Sequence, residues 1–119
     1  MARALMIRAV AWSAGRAAAI ETSAPLAVQT VMYRKGEAAL VHLVNDNSSS
    51  GRAAAPNPEA YACFRDEVLP VRDIRVAVRG DFKEATLLPG GTPLAVSARD
   101  GLSEAVVPEV QIHALVVFQ

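Results

Sequence analysis

At 119 residues, with 52% apolar and 20% charged side chains, the chain has the size and composition of one packed domain, which excludes disorder and argues against a second domain. Twelve Lys and Arg balance twelve Asp and Glu, so no excess field exists to hold a nucleic acid or an anionic membrane. The lone Cys63 excludes an internal disulfide, a zinc knuckle and a CxxC redox pair, and reads as a small apolar filler.

The first twenty residues carry Arg3, Arg8 and Arg16 and no acid, a faint likeness to a targeting segment. Arg8 divides Leu5-Met6-Ile7 from Val10-Ala11-Trp12, so no apolar run is long enough for a signal or a membrane span. A soluble, cytoplasmic setting is favoured, without the compartment being fixed. The segment is expected to form a short amphipathic helix over 1–15. Leu5, Ala9 and Trp12 fall at i, i+4 and i+7, Met6 and Val10 widen the face, and Gly15 supplies a left-handed C-terminal cap. Trp12 is expected to be buried, and Leu5, Ala9 and Trp12 are the candidate interface residues. A helix that begins at the first residue without a cap looks like the tail of something longer.

From Pro25 onward, short apolar runs are divided by Gly, Pro, Asn and Asp, the texture of an all-β domain. Leu26–Arg34 and Glu37–Asn45 are expected to pair as a hairpin through Lys35-Gly36, where glycine can take positive φ. Ile74–Arg79 gives the cleanest alternation, with Ile74, Val76 and Val78 inward and Arg75 and Arg79 in water. Ala85–Leu88 is a short strand ended by Pro89-Gly90-Gly91. Pro93–Arg99 meets Leu102–Val107 across Asp100-Gly101, and Pro108, lacking an N–H, should stop that ladder. Val110–Phe118 closes the chain, with apolar residues on both faces, as in a strand covered from two sides. About seven such strands, joined by turns, predict an antiparallel, immunoglobulin-like β-sandwich over 20–119 with a short N-terminal helix. The stretch 46–58, rich in Ser, Ala and turn formers, is a long exposed loop, and 59–72 reads as loop with an extended end.

No reaction centre is legible in these residues. Asp66-Glu67 is the only adjacent acidic pair, and neighbours on an extended segment point to opposite sides, so they cannot flank one glycosidic bond. Ser48, Ser49, Ser50 and Ser103 lack a nucleophile elbow, and Gly90-Gly91 lacks the helix N-terminus that would hold phosphate. The two histidines, His42 and His113, lie in predicted strands and could meet across a sheet as half of a zinc site, but no acid or Cys has the spacing to complete it. They are expected to be structural and semi-buried, each bonded to backbone or to a neighbour such as Asn45. Aromatic residues are few, and Tyr33, Tyr61, Phe64 and Phe82 are the candidate sugar contacts. No cofactor is expected.

Ala24-Pro25-Leu26-Ala27-Val28, the hairpin Met32–Glu37, Val41-His42-Leu43-Val44-Asn45, Ile74–Val78, Leu87-Leu88-Pro89 and Val107–His113 occur in an order that resembles a known module. It is the C-terminal β-sandwich of large multidomain glycoside-hydrolase-like proteins, the β-galactosidase-like and hypothetical glycosyl hydrolase groups. The likeness covers about residues 20–119. It implies a TIM-barrel catalytic domain and a trimerisation domain ahead of such a sandwich, and Leu5–Trp12 is similar to the last helix of that middle domain. The family's catalytic acids belong to the barrel, so the resemblance carries over no catalytic residue. The insertion at 46–57 is longer than the family pattern leads one to expect.

Together these readings predict a non-catalytic accessory domain that packs against other domains of a glycoside hydrolase or associates with itself. A carbohydrate-binding module is the alternative, and a small metal-dependent enzyme built on His42 and His113 is a third class.

Overall fold

The computed structural model describes residues 2–16, 18–46 and 69–119. Among these, one helix, α1 (Ala2–Ala14), precedes nine strands: β1 (Ile20–Thr22), β2 (Val28–Lys35), β3 (Ala38–Asn45), β4 (Val71–Arg79), β5 (Ala85–Leu88), β6 (Thr92–Leu94), β7 (Ser97–Arg99), β8 (Leu102–Val110) and β9 (His113–Phe118). They form two antiparallel sheets, in the orders β1-β4-β8-β7 and β2-β3-β9-β5-β6. The all-β sandwich expected from the alternation is the observed fold. Residues 47–68, with the expectations for most of the 46–58 loop, Cys63, Asp66-Glu67, Tyr61 and Phe64, lie outside the described residues.

The core is the seam between the sheets. One sheet contributes Ile74, Val76 and Val78 from β4 with Ala105 and Val107 from β8, and the other Val41 and Leu43 from β3 with Val116 and Phe118 from β9. Strict alternation places these side chains on one face of each strand. Fully burying a side chain of this size stabilises the fold by roughly 1.5–3 kcal/mol. The inner face of β2 carries one misfit: the Thr30 hydroxyl is buried without a hydrogen-bond partner among the described residues.

Two hairpins follow the turn chemistry of the sequence. Gly36 has φ 60 at the first position of the turn between the paired Lys35 and Ala38, where a II′ turn takes glycine, and Asp100 and Gly101 have φ 52 and 76 between Arg99 and Leu102, as a two-residue turn of the I′ kind requires. Gly15, at φ 62, ends α1 as expected, its N–H donating to the Trp12 carbonyl.

Several boundaries differ from the sequence reading. Nine strands replace about seven because the predicted Pro93–Arg99 strand is two strands in different sheets, β6 and β7, with Ala95 and Val96 crossing between layers, and because the short edge strand β1 carries too few residues to show a period. Likewise Val110–Phe118 is interrupted at Gln111–Ile112, where the chain passes from one sheet to the other, leaving Ile112 65% exposed. Pro108 does not end β8. The pairing of β4 with β8 keeps one register on both sides of the Asp73–Pro108 position, and only that pair drops out, with Asp73 at φ 55.

The corner between β4 and β5 is closed by Ser103, a buried residue of β8. Its hydroxyl donates to the Gly80 carbonyl at 2.8 Å and accepts the Phe82 N–H at 2.9 Å. Phe82 is thereby turned into the core against Phe118, with the Arg34 guanidinium over its ring.

Candidate functional site

Candidate functional residues fall into three places. The first is the outer face of β2, β3 and β9. Register pairs Val31 with His42 and Val44 with His113, so Tyr33, His42 and His113 stand on a diagonal across three neighbouring strands. His42 Nδ1 lies 2.9 Å from His113 Nε2, and the Tyr33 ring meets His42 edge-on with centroids 5.6 Å apart. The two imidazole centroids are 5.2 Å apart with planes inclined by 20°. The excess of centroid separation over nitrogen separation is about two ring radii, so the rings lie end to end in nearly one plane. This is an in-plane N–H···N bond and not a π-stack. His42 is half-buried, but His113 is exposed, which corrects the expectation that both rings are semi-buried.

That geometry suits a shared proton better than a metal. Two nitrogens on one tetrahedral zinc would stand about 3.3 Å apart, given Zn–N bonds of about 2.0–2.1 Å, and no cluster of three or more His, Cys, Asp or Glu occurs among the described residues. Asn45, which the sequence offered as a neighbour for a histidine, has another task. Its Nδ2 donates to the carbonyls of Leu69 and Gln111, at 2.8 and 2.7 Å, tying the end of β3 to the start of β4 and to the β8–β9 turn.

Of the candidate sugar contacts, Tyr33 is 59% exposed, among Val31, Val44 and Leu88 on the same outer face. Phe82 is not available as a contact: it is 8% exposed and part of the core. Its surroundings in the sequence, Gly80-Asp81-Phe82-Lys83-Glu84, are polar, and the Ser103 hydroxyl bonds, with those of Lys83 and Glu84 to the Gln119 carbonyl, hold the corner that turns it inward.

The second place is the outer face of the other sheet. Glu21 of β1 and Glu104 of β8 are both paired with Ala77 of β4, whose small side chain leaves a recess of about 90 Å³ between them. Arg99 spans it, reaching Glu21 at 3.2 Å and Glu104 at 3.3 Å, with Asp100 at 3.9 Å. Its pKa is raised, first by the hydrogen bond to Glu21 and then by that to Glu104. A guanidinium bridges the two carboxylates, where a glycosidase pair leaves the space between its carboxyl groups for the scissile bond. The sequence reading missed this cluster, because β1 was unseen and the partners lie up to 78 residues apart.

The third place is α1. Leu5, Met6, Ile7, Val10 and Trp12 are all more than half exposed, Trp12 by 86%, and no residue of the helix is buried. Trp12 was expected inside; the body of the sandwich does not reach it. Nor is the helix amphipathic in the simple sense expected. Leu5, Ala9 and Trp12 form one apolar face, and Met6, Val10 and Ile7 form a second, well round the helix from it, with Arg3 at the N-terminal end of the second face and Arg8 between the two. The second face looks toward the sandwich across an open groove of about 790 Å³. No helix among the described residues is long and apolar enough to cross a membrane.

Neither a protein-family model nor a curated protein matches the sequence. The fold does have a solved counterpart. It is similar to part of the α-L-fucosidase isoenzyme 2 from Paenibacillus thiaminolyticus, with a TM-score of 0.75, at 19% sequence identity. The match covers 96% of this chain and 17% of that one, so this chain spans about a sixth of its neighbour's length. The uncovered 4% is fewer residues than α1 contains, so the likeness takes in part of the helix as well as the sandwich.

Proposed function

We propose that the chain is a non-catalytic accessory β-sandwich that packs against other domains of a glycoside hydrolase, with α1 as its docking element. The observation that carries this reading is the helix, which is apolar on two faces and exposed on both. A helix of that character is stable in water only when other protein covers it. The fold it shares with a sixth of an α-L-fucosidase chain supports a place in a larger glycosidase, as does the resemblance of its strand order to glycosidase C-terminal sandwiches. Among the described residues, two polar clusters that could have formed a reaction centre are engaged internally: His42 with His113, and Glu21 and Glu104 with Arg99.

The test is to assay the chain alone on aryl fucosides and galactosides, and then to mix it with a barrel-bearing glycoside hydrolase of the same organism. The expected result is no hydrolysis alone, and a complex by size exclusion that Trp12→Asp abolishes. Turnover by the isolated chain would refute the reading.

A carbohydrate-binding module is a second reading, favoured by one observation, the exposed Tyr33 beside the His42–His113 pair. Retardation in polysaccharide affinity gels, lost in Tyr33→Ala, is its expected signature; unretarded migration across plant and bacterial polysaccharides rules it out.

A further inference from the structure

The groove between α1 and the sandwich differs in chemistry on its two sides. The helix side presents Met6, Ile7 and Val10, and the far side presents Arg34 and Arg79, with Arg16 at the end of the helix. No acid lines it, and none occurs in α1. Among the described residues, ion pairs engage Arg72, Lys83 and Arg99, but no carboxylate pairs with Arg16, Arg34 or Arg79. The last two are nevertheless fixed in place. Arg34 Nη2 donates to the Arg79 carbonyl at 2.9 Å, and Arg79 Nε donates to the Ala18 carbonyl at 3.2 Å. Each guanidinium has five donors, so both keep several aimed elsewhere. An oriented fork that lacks a carboxylate, across from an apolar wall, is the complement of one kind of surface.

We propose that this groove receives an acidic amphipathic helix of a partner domain, its apolar face against Met6, Ile7 and Val10 and its carboxylates on Arg34 and Arg79. This rests on the reading of α1 as a docking element and adds the partner's chemistry and the side on which it enters. A membrane is the poorer occupant, because the arginines stand across the groove from the helix and not beside its apolar residues on one surface. A second copy is also poorer, since α1, the one helix among the described residues, carries no acid to offer the arginines.

The probes are two synthetic 14-residue helices with the same Leu face, one with Glu and one with Lys on its polar face, titrated into the full chain by calorimetry. Val10→Asp, an exposed substitution that leaves the core untouched, places a negative charge in the groove; Trp12→Asp does so on the opposite face. The expected result is that the Glu helix binds, and that the Lys helix, and the Glu helix on Val10→Asp, bind at least about tenfold more weakly. Trp12→Asp stays within about twofold, and raising salt weakens the Glu helix. Equal binding of the two peptides, binding of neither, binding to phosphatidylglycerol vesicles in place of the Glu helix, or self-association abolished by Val10→Asp each overturns the proposal. If the barrel-bearing partner binds through Trp12 while the Glu helix does not bind, the groove assignment fails and the accessory role stands. If the Glu helix binds and no glycosidase partner does, the reverse holds.

Discussion

His42 Nδ1 and His113 Nε2 face each other at 2.9 Å across β3 and β9, with the two rings end to end in nearly one plane. One ring must donate and the other accept, so the pair holds opposite tautomeric roles. In a double-mutant cycle with His42→Ala and His113→Ala, the two should couple by about 0.5–1 kcal/mol in urea unfolding, the low end for a hydrogen bond because His113 is exposed. Strict additivity would show that the contact contributes nothing.

Ser103→Ala should lower stability by about 1–3 kcal/mol, since it leaves the Phe82 N–H and the Gly80 carbonyl without the partner that closes the β4–β5 corner. Equilibrium unfolding of the pure variant reads this directly, and a change below about 0.5 kcal/mol would mean that water replaces the hydroxyl.

At the same corner, Gly80→Ala should destabilise by about 1–3 kcal/mol for a different reason. Gly80 sits at φ 137, and an added Cβ would stand 2.7 Å from Cε2 of Phe82. A thermal melt at unchanged midpoint would show that the ring yields freely.

Thr30→Val is expected to raise stability by about 1 kcal/mol. It exchanges a buried hydroxyl without a partner for a methyl of the same shape, on a strand position that favours β-branched residues. Destabilisation would reveal a partner for that hydroxyl.

Arg99 makes its prediction in pH. Its folded-state pKa is raised by Glu21 and Glu104, so its contribution is fully present below the unfolded guanidinium value and is lost only as pH rises through the still higher folded one. The stability difference between wild type and Arg99→Gln should therefore be flat from about pH 7 to 10. A slope across that window would assign the titration to another group.

Legibility in the sequence followed the physics of each element. Where one face of a strand is buried and the other wet, as at Ile74, Val76 and Val78, alternation alone located strand and core. Where a turn demands positive φ, Gly36 and Asp100-Gly101 located the hairpins. A strand that changes layer looks the same in sequence as one that does not, so the breaks at 95–96 and 111–112 stayed hidden. Phe82 was misread because its burial depends on Ser103, 21 residues away. The helix was found, yet its second apolar face was absorbed into the first, and the Arg34–Arg79 side of the groove exists only after folding. The histidine pair was within reach, because two imidazoles on strands of one sheet can meet, but the register that joins them is a tertiary fact.

Arg79 grips the segment leading out of α1 twice, its backbone N–H on the Ala19 carbonyl and its side chain on that of Ala18. The exit from the helix is thereby tethered to the sheet from Ala18 onward. A visitor meets a jaw already held ajar, loses little orientational entropy in closing it, and passes any strain it exerts straight into β4 at the centre of the fold.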